Sequence, residues 1–239
     1  RPPLALAAVA LLCAAVAGAP LVYLAVRAGE AGWANIEPLL VRDRTLELAI
    51  NSVLLCGSVA LGSLLIGVPT GWLVTRARLP LPAVWRVLAA LPLAMPSYVA
   101  AYAWLTIFPG MHGYWGSVIV LTLVSSPYVS LPVAAVLRRA DTDIEDVART
   151  LGRGPVRAAV ATLLPQVAPA ATAGALLAAL YALSDFGAVA LMRHQVFTFA
   201  IRNAYRVGFD RTLAALLALL LALLALLVVL VERAVRRRA

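Results

Sequence analysis

Asp185 is the clearest acidic side chain inside an apolar segment of this sequence, in the run Tyr181-Ala182-Leu183-Ser184-Asp185-Phe186-Gly187. A carboxylate at membrane depth is costly unless it faces water or a partner, so a functional role is the default hypothesis. Counted along a helix, it lies about 27 Å from the start of its segment, which places it off-centre. The alternative is a structural pair with Arg193 or Arg27 that fixes the end of the segment.

The other reactive side chains do not form a catalytic or metal-binding pattern. An enzyme inside a membrane needs a nucleophile with a base, two carboxylates, or histidines at metal-ligand spacing. His112 and His194 fall in predicted connections, and no second acid accompanies Asp185. Cys13 and Cys56 lie in apolar segments, where packing is their ordinary role. We therefore expect no catalytic residue, no metal site and no bound cofactor.

The composition indicates a helical membrane protein. Hydrophobic residues make up 63% of 239 positions, and several apolar runs exceed the roughly 20 residues that cross a bilayer. The net charge is +9, but the basic residues cluster at the ends of apolar runs, so no nucleic-acid partner is expected. We predict an all-α fold with six spans in the lipid bilayer, at Leu4–Val26, Leu46–Val74, Trp85–Phe108, Ser117–Leu137, Val167–Met192 and Thr212–Val235.

The arginine distribution predicts the orientation. With both termini in the cytoplasm, 13 of the 20 arginines lie inside, as the positive-inside rule requires. The long polar interruption Asp141–Pro165 is then cytoplasmic. The connection Arg193–Arg211, which mixes aromatic and basic residues, is then outside, where it suits either an interfacial helix or the docking of an acidic partner.

The polar interruption has its own helix signals. Thr142 followed by Glu145 is a capping-box pattern, and Gly152 is placed to end the helix. Pro155 suits the first turn of a second helix, which Pro165 should stop. A small apolar stripe runs along both helices. It can lie on the membrane surface or insert into a groove of a partner protein, and its small residues favour the groove.

Two spans carry unusual residues. Span two is rich in Gly and Ser, which favours close helix packing over a pathway role. Span three contains Pro92 and Pro96, which prevent a regular helix. Broken backbone at membrane depth needs protein or a water-filled cavity around it, so this segment is either a pathway wall or a structural kink. The pathway candidates are Pro96, Ser97, Tyr98, Tyr102, Ser184 and Asp185.

Span four has a polar middle, Ser125-Ser126-Pro127-Tyr128. Hydroxyl groups beside a proline can satisfy the carbonyl that the proline frees. A structural role and a pathway role are both compatible with this pattern.

At the polar interruption the sequence resembles the EAA loop of bacterial ABC importer permeases. The matching pattern is Asp146-Val147-Ala148, then Gly152, then Thr162-Leu163-Leu164-Pro165. The family has Glu-Ala-Ala where this chain has Asp-Val-Ala. The resemblance assigns ATPase coupling to Glu145, Asp146, Val147, Ala148, Gly152, Leu164 and Pro165.

The resemblance extends over almost the whole chain. Pro96-Ser97-Tyr98-Val99-Ala100-Ala101-Tyr102 and Leu183-Ser184-Asp185-Phe186-Gly187-Ala188 are similar to the ferric-iron importer branch. Branches for thiamine, sulfate, polyamines and phosphonates share much of the pattern. The resemblance implies a type I ABC importer permease fold, with a single domain over 1–239, a core at 46–235 and a coupling loop at 140–165.

The resemblance also implies a set of partners. These are a cytoplasmic ATPase dimer that uses the ATP, a second permease half that is either fused or a second copy, and an extracytoplasmic substrate-binding protein. The implied location is the bacterial inner membrane. The chain has no Lys and no Gly-Lys-Ser/Thr loop, so ATP hydrolysis is not expected of it. A secondary transporter driven by an ion gradient is the alternative, but such proteins place ionisable groups near the midplane.

Overall fold

Every regular element that the computed structural model describes is helical. The described residues are 4–30, 42–140, 154–208 and 210–238. The helices are α1 (Leu4–Glu30), α2 (Asp43–Arg76), α3 (Pro82–Ala90), α4 (Ser97–Ile107), α5 (Gly113–Ser125), α6 (Pro127–Arg139), α7 (Pro155–Ser184), α8 (Gly187–Leu191), α9 (Phe197–Arg206) and α10 (Arg211–Arg238). A 3-10 turn, Leu91–Ala94, follows α3. The predicted all-α fold is confirmed.

The described residues contain five helices long and apolar enough to cross a bilayer, and a sixth if α3 and α4 count as one broken span. The pair is bent by 98°. The five are Leu6–Glu30, Asp43–Arg76, Gly113–Arg139, Ala161–Ser184 and Arg211–Leu230. The predicted number of spans therefore agrees with the structure when the bent pair crosses the membrane as a unit.

The bend in span three lies at Pro96, as the sequence predicts. Met95 is extended, with φ −90° and ψ 120°, because a residue before proline is pushed away from the helical region. Pro96 precedes α4 and has no N–H to bond backward. The chain therefore changes direction here and starts a new helix at Ser97.

The junction between α5 and α6 shows how the span stays continuous across Pro127. Pro127 cannot donate to the carbonyl of Leu123, four residues before it. The hydroxyl of Ser126 donates to that carbonyl at 3.1 Å, and the hydroxyl of Ser125 donates to the carbonyl of Leu121 at 2.6 Å. These bonds support the structural reading of the polar middle of span four.

The predicted stop at Pro165 is wrong, because α7 runs through Pro165 and Pro169. Both prolines lie on the exposed face. The opposite face is buried at every fourth residue, at Leu163, Val167, Ala171 and Ala175, against the buried face of α6. Proline φ is compatible with a helix, and transmembrane helices tolerate the missing donor. Packing on one face therefore outweighs the proline signal.

The described chain forms two compact units. One comprises Arg1–Asn51 with Gln195–Leu226, and its apolar cluster joins the start of α2 to α9 and α10. Phe197, Ala200 and Ala204 are the buried residues of α9. The predicted helix in the 193–211 connection is therefore present, and this apolar face is covered by protein.

The second unit comprises Ser52–His194 with Leu227–Ala239. In it, α6 packs against α2 and α7 at glycines where a Cβ atom would not fit. A Cβ on Gly67 would lie 2.6 Å from the Val129 Cβ, and one on Gly174 would overlap the carbonyl oxygen of Tyr128. The predicted close packing of span two is confirmed at Gly67, since small residues let helices approach in lipid.

Gly174→Leu is expected to lower the free energy of unfolding by about 1–3 kcal/mol, because overpacking forces the backbones apart. Thermal unfolding in detergent micelles measures the change. The matched control is Gly57→Leu, since nothing lies within 4 Å of a Cβ at that helical glycine. Equal stability of the two variants would contradict the tight α6–α7 contact.

Candidate translocation pathway and coupling segment

The two segments that the sequence marks as pathway candidates meet in the structure. The start of α4 lies against the start of α8. A Cβ on Gly187 would lie 2.9 Å from the Tyr98 Cβ and 3.1 Å from the Ser97 hydroxyl oxygen. A side chain at position 187 would separate the two helices, so glycine is required for this contact.

Asp185 holds the break between α7 and α8. Its backbone is extended and ends α7. Its Oδ1 accepts a hydrogen bond from the N–H of Ala188 at 2.8 Å, and the Ser97 hydroxyl donates to the same carboxylate. The predicted fifth span, Val167–Met192, is therefore wrong at its end, because the helix stops at Ser184 and a separate short helix follows.

The structure favours a structural role for Asp185 over contact with a substrate. Its exposed fraction is 9%, and that of Ser97 is 8%. Arg193, one of the two arginines that the sequence offers as a partner for Asp185, is exposed. Arg27 forms an ion pair with Glu30 at 2.5 Å. The Asp185 carboxylate therefore bonds to the start of α8 and to the start of α4.

The remaining pathway candidates are on the surface. Tyr98 is 57% exposed and Tyr102 is 68% exposed, and Pro96 and Ser184 are also exposed. Tyr98 and Tyr102 lie four residues apart, so they share one face of α4. Their phenol groups can donate hydrogen bonds to a polar solute or accept them from its water shell. A pathway role for these residues stays a prediction.

A pair of tyrosine rings connects this region to α6. Tyr181 of α7 and Tyr128 of α6 have ring centroids 5.7 Å apart. Such tilted aromatic pairs contribute beyond the area they bury. The same α7 helix that ends at Asp185 is therefore held to α6 by this ring pair as well as by the contact at Gly174.

The predicted coupling residues Glu145, Asp146, Val147, Ala148 and Gly152 lie outside the described residues. What the structure describes are the ends of the segment. The α6 helix ends at Arg139, and α7 begins at Pro155. Leu164 and Pro165 are exposed. Leu163, which follows Thr162, is buried against α6. Both ends of the segment therefore belong to one packed helix pair.

Sequence reasoning missed the setting of His194. This residue is 8% exposed, and its ring meets the Tyr114 ring edge-on at 5.5 Å. Tyr114 in turn shares a hydrogen bond of 2.6 Å with Ser58. Burial lowers the pKa of His194 and favours the neutral imidazole. No sequence pattern around His194 signals this burial.

The titratable side chains are dispersed. In the part of the chain that the structure describes, no group of three or more His, Cys, Asp or Glu residues is arranged to hold a metal ion. Cys56 is buried and Cys13 is exposed, and neither forms a disulfide.

Asp185→Ala is expected to lower the free energy of unfolding by about 1 kcal/mol, because the N–H of Ala188 loses its acceptor. Asp185→Asn keeps an acceptor oxygen and should lose much less. Thermal unfolding with Ser184→Ala as the neighbouring control measures the difference. If Asn is as damaging as Ala, the negative charge itself is required and the structural account is wrong.

Comparisons with known proteins agree with this geometry. The family model of the binding-protein-dependent transport system inner membrane component matches residues 63–239. The chain is 36% identical over 217 residues to the Fe(3+)-transport system permease protein FbpB 2 of Haemophilus influenzae, covering 91% of this chain. It spans only 43% of the length of that permease.

Other relatives transport oxyanions by name. The molybdate/tungstate transport system permease protein WtpB of Thermococcus kodakarensis is 29% identical, covering 72% of each chain. The sulfate transport system permease protein CysT of Escherichia coli is 25% identical, covering 71% of this chain and 67% of its own.

A solved structure supports the fold. A chain of the MetNI methionine ABC transporter in an inward-facing conformation superposes with a TM-score of 0.69 at 16% identity, covering 81% of this chain and 94% of that one. The helical fold and the family match agree with each other. The chain belongs to the family of binding-protein-dependent transport system inner membrane components, and is a multi-pass membrane protein.

Proposed function

We propose that this chain forms half of the substrate pathway of an ATP-driven importer and couples to a cytoplasmic ATPase through residues 140–165. The observation that carries this proposal is the position of the segment. It connects α6 and α7, which pack at Gly174 without room for a Cβ atom. A force applied to the segment is therefore delivered to a rigid helix pair.

The orientation follows from the arginines. With the termini and residues 140–165 in the cytoplasm, 13 of 20 arginines lie inside. In this arrangement the α7–α8 break faces the outer half of the membrane. The location would be the plasma membrane of a bacterium, with both termini inside.

In the proposed importer, the partner proteins carry out ATP hydrolysis and substrate delivery. An ATPase dimer binds and hydrolyses the ATP, and its closure moves the coupling segments of two permease halves. A second half, fused or separate, completes the pathway, and an extracytoplasmic protein delivers the substrate. Within this chain, Asp146, Ala148 and Gly152 are the residues proposed to meet the ATPase.

Gly152→Arg is expected to abolish co-purification of the ATPase subunit, because a long charged side chain does not fit in a groove that receives a glycine turn. The measurement is the ATPase recovered per permease after affinity purification. Gly110→Arg is the matched control, since Gly110 is exposed in another connection with nothing within 4 Å of a Cβ. Undiminished recovery with Gly152→Arg would contradict docking at this segment.

We propose ferric iron as the substrate. The 36% identity to an Fe(3+)-transport permease over 91% of the chain supports it. The similarity to permeases for molybdate, tungstate and sulfate supports an oxyanion as the second candidate. The exposed phenols of Tyr98 and Tyr102 can interact with either kind of ion, since phenols both donate and accept hydrogen bonds.

Uptake by the complete importer distinguishes the two candidates. Cells that lack other high-affinity iron uptake should accumulate radiolabelled ferric iron when they express the importer, and excess molybdate or sulfate should not compete. Tyr98→Phe combined with Tyr102→Phe should reduce that uptake about tenfold or more if the phenol groups line the pathway. Accumulation of molybdate or sulfate without iron would overturn the iron assignment and leave the permease function in place.

A further inference from the structure

Arg76, the last residue of α2, contacts the end of a different helix. Its Nη2 donates to the carbonyl oxygen of Ala140 at 3.3 Å. Ala140 is the first residue after α6, and its backbone is extended. The guanidinium therefore bonds to the chain where it leaves α6, at the first residue of the proposed coupling segment, and a cation close to the C-terminus of a helix is also favoured by the helix dipole.

Arg76 is more buried than the other arginines near this end of α2 and α6. Arg78, Arg86, Arg138 and Arg139 are exposed, whereas Arg76 is half-buried. Its Nε is buried and has no hydrogen-bond partner among the described residues. Burying a charged group costs free energy unless it gains compensating interactions. A charge that only satisfied the positive-inside rule would stay in solvent.

In the turns of α2 that precede Arg76, α2 packs directly against the backbone of α6. A Cβ on Gly71 would lie 2.8 Å from the carbonyl oxygen of Ser130, and one on Gly67 would lie 2.8 Å from that of Ser126. Val68 and Leu64 of α2 pack on the same buried cluster as Leu137 of α6. The hydrogen bond from Arg76 to Ala140 lies at the end of this packed contact, because Arg76 is the last residue of α2 and Ala140 directly follows α6.

We propose that Arg76 is a positioning residue that fastens α2 to the start of the coupling segment, so that movement of the segment is passed to α2. Without this bond the last turn of α6 can fray, and the movement is lost before it reaches the helix seam. The inference rests on the proposed coupling role of residues 140–165. It adds a residue outside that segment to the transmission of force.

The test uses the complete permease reconstituted in proteoliposomes with its ATPase subunit and binding protein. The variants are Arg76→Gln, which keeps an apolar stem and loses the charge, and Arg76→Lys, which keeps the charge and a donor. Arg78→Gln is the matched control, because it removes one exposed arginine on the same side of the membrane. The readouts are ATPase bound per permease, ATP hydrolysed, and the ion transported, chosen from ferric iron, molybdate and sulfate by wild-type uptake.

Arg76→Gln should keep the ATPase subunit bound and hydrolysing, but ions transported per ATP should fall about fivefold or more. Arg76→Lys should restore most of that ratio, and Arg78→Gln should match the wild type. The inference is overturned if Arg76→Gln keeps the wild-type ratio, if Arg78→Gln lowers it equally, or if Arg76→Lys rescues nothing. Failure of the wild-type permease to bind any ATPase would instead reject the proposed function on which the inference rests.

Discussion

The structure of the second unit depends on the direct approach of α6 to α2 and α7. In lipid there is no hydrophobic drive between helices, so association relies on contact area and close packing. Gly67 and Gly174 provide it, since α6 backbone or Cβ atoms occupy the space of their missing side chains. A packed core of this kind transmits strain and does not absorb it. The same contact therefore stabilises the helices and, in the proposed coupling, is the contact through which force passes between them.

The packed contacts continue from α7 to the break between α7 and α8. The α7 helix starts beside the coupling segment and ends at Asp185, whose carboxylate bonds to the start of α8 and to Ser97 of α4. Gly187 brings α8 onto α4. The exposed tyrosines therefore lie on α4, and α4 is connected to α7 through the contacts of Gly187 and Asp185. The α7 helix begins at the proposed coupling segment.

Much of this architecture follows from local sequence. The prolines of span three predict an irregular helix there, and the small residues of span two predict close packing against another helix. Pro165 misleads, because burial of every fourth residue of α7 outweighs a missing donor on the exposed face. The sequence does not predict the partners of Asp185 and His194, since Ser97 and Tyr114 are distant from them in the chain. Long-range contacts of single side chains leave no periodic signal.

The most direct test of the account is a photo-crosslinker placed at Ala148 in the assembled importer. If residues 140–165 meet the ATPase, the crosslinker should capture the ATPase subunit in membranes, and the same group at Gly110 should capture none. Capture by Ala148 of lipid alone, or of the substrate-binding protein on the outer face, would contradict the coupling role and the orientation together.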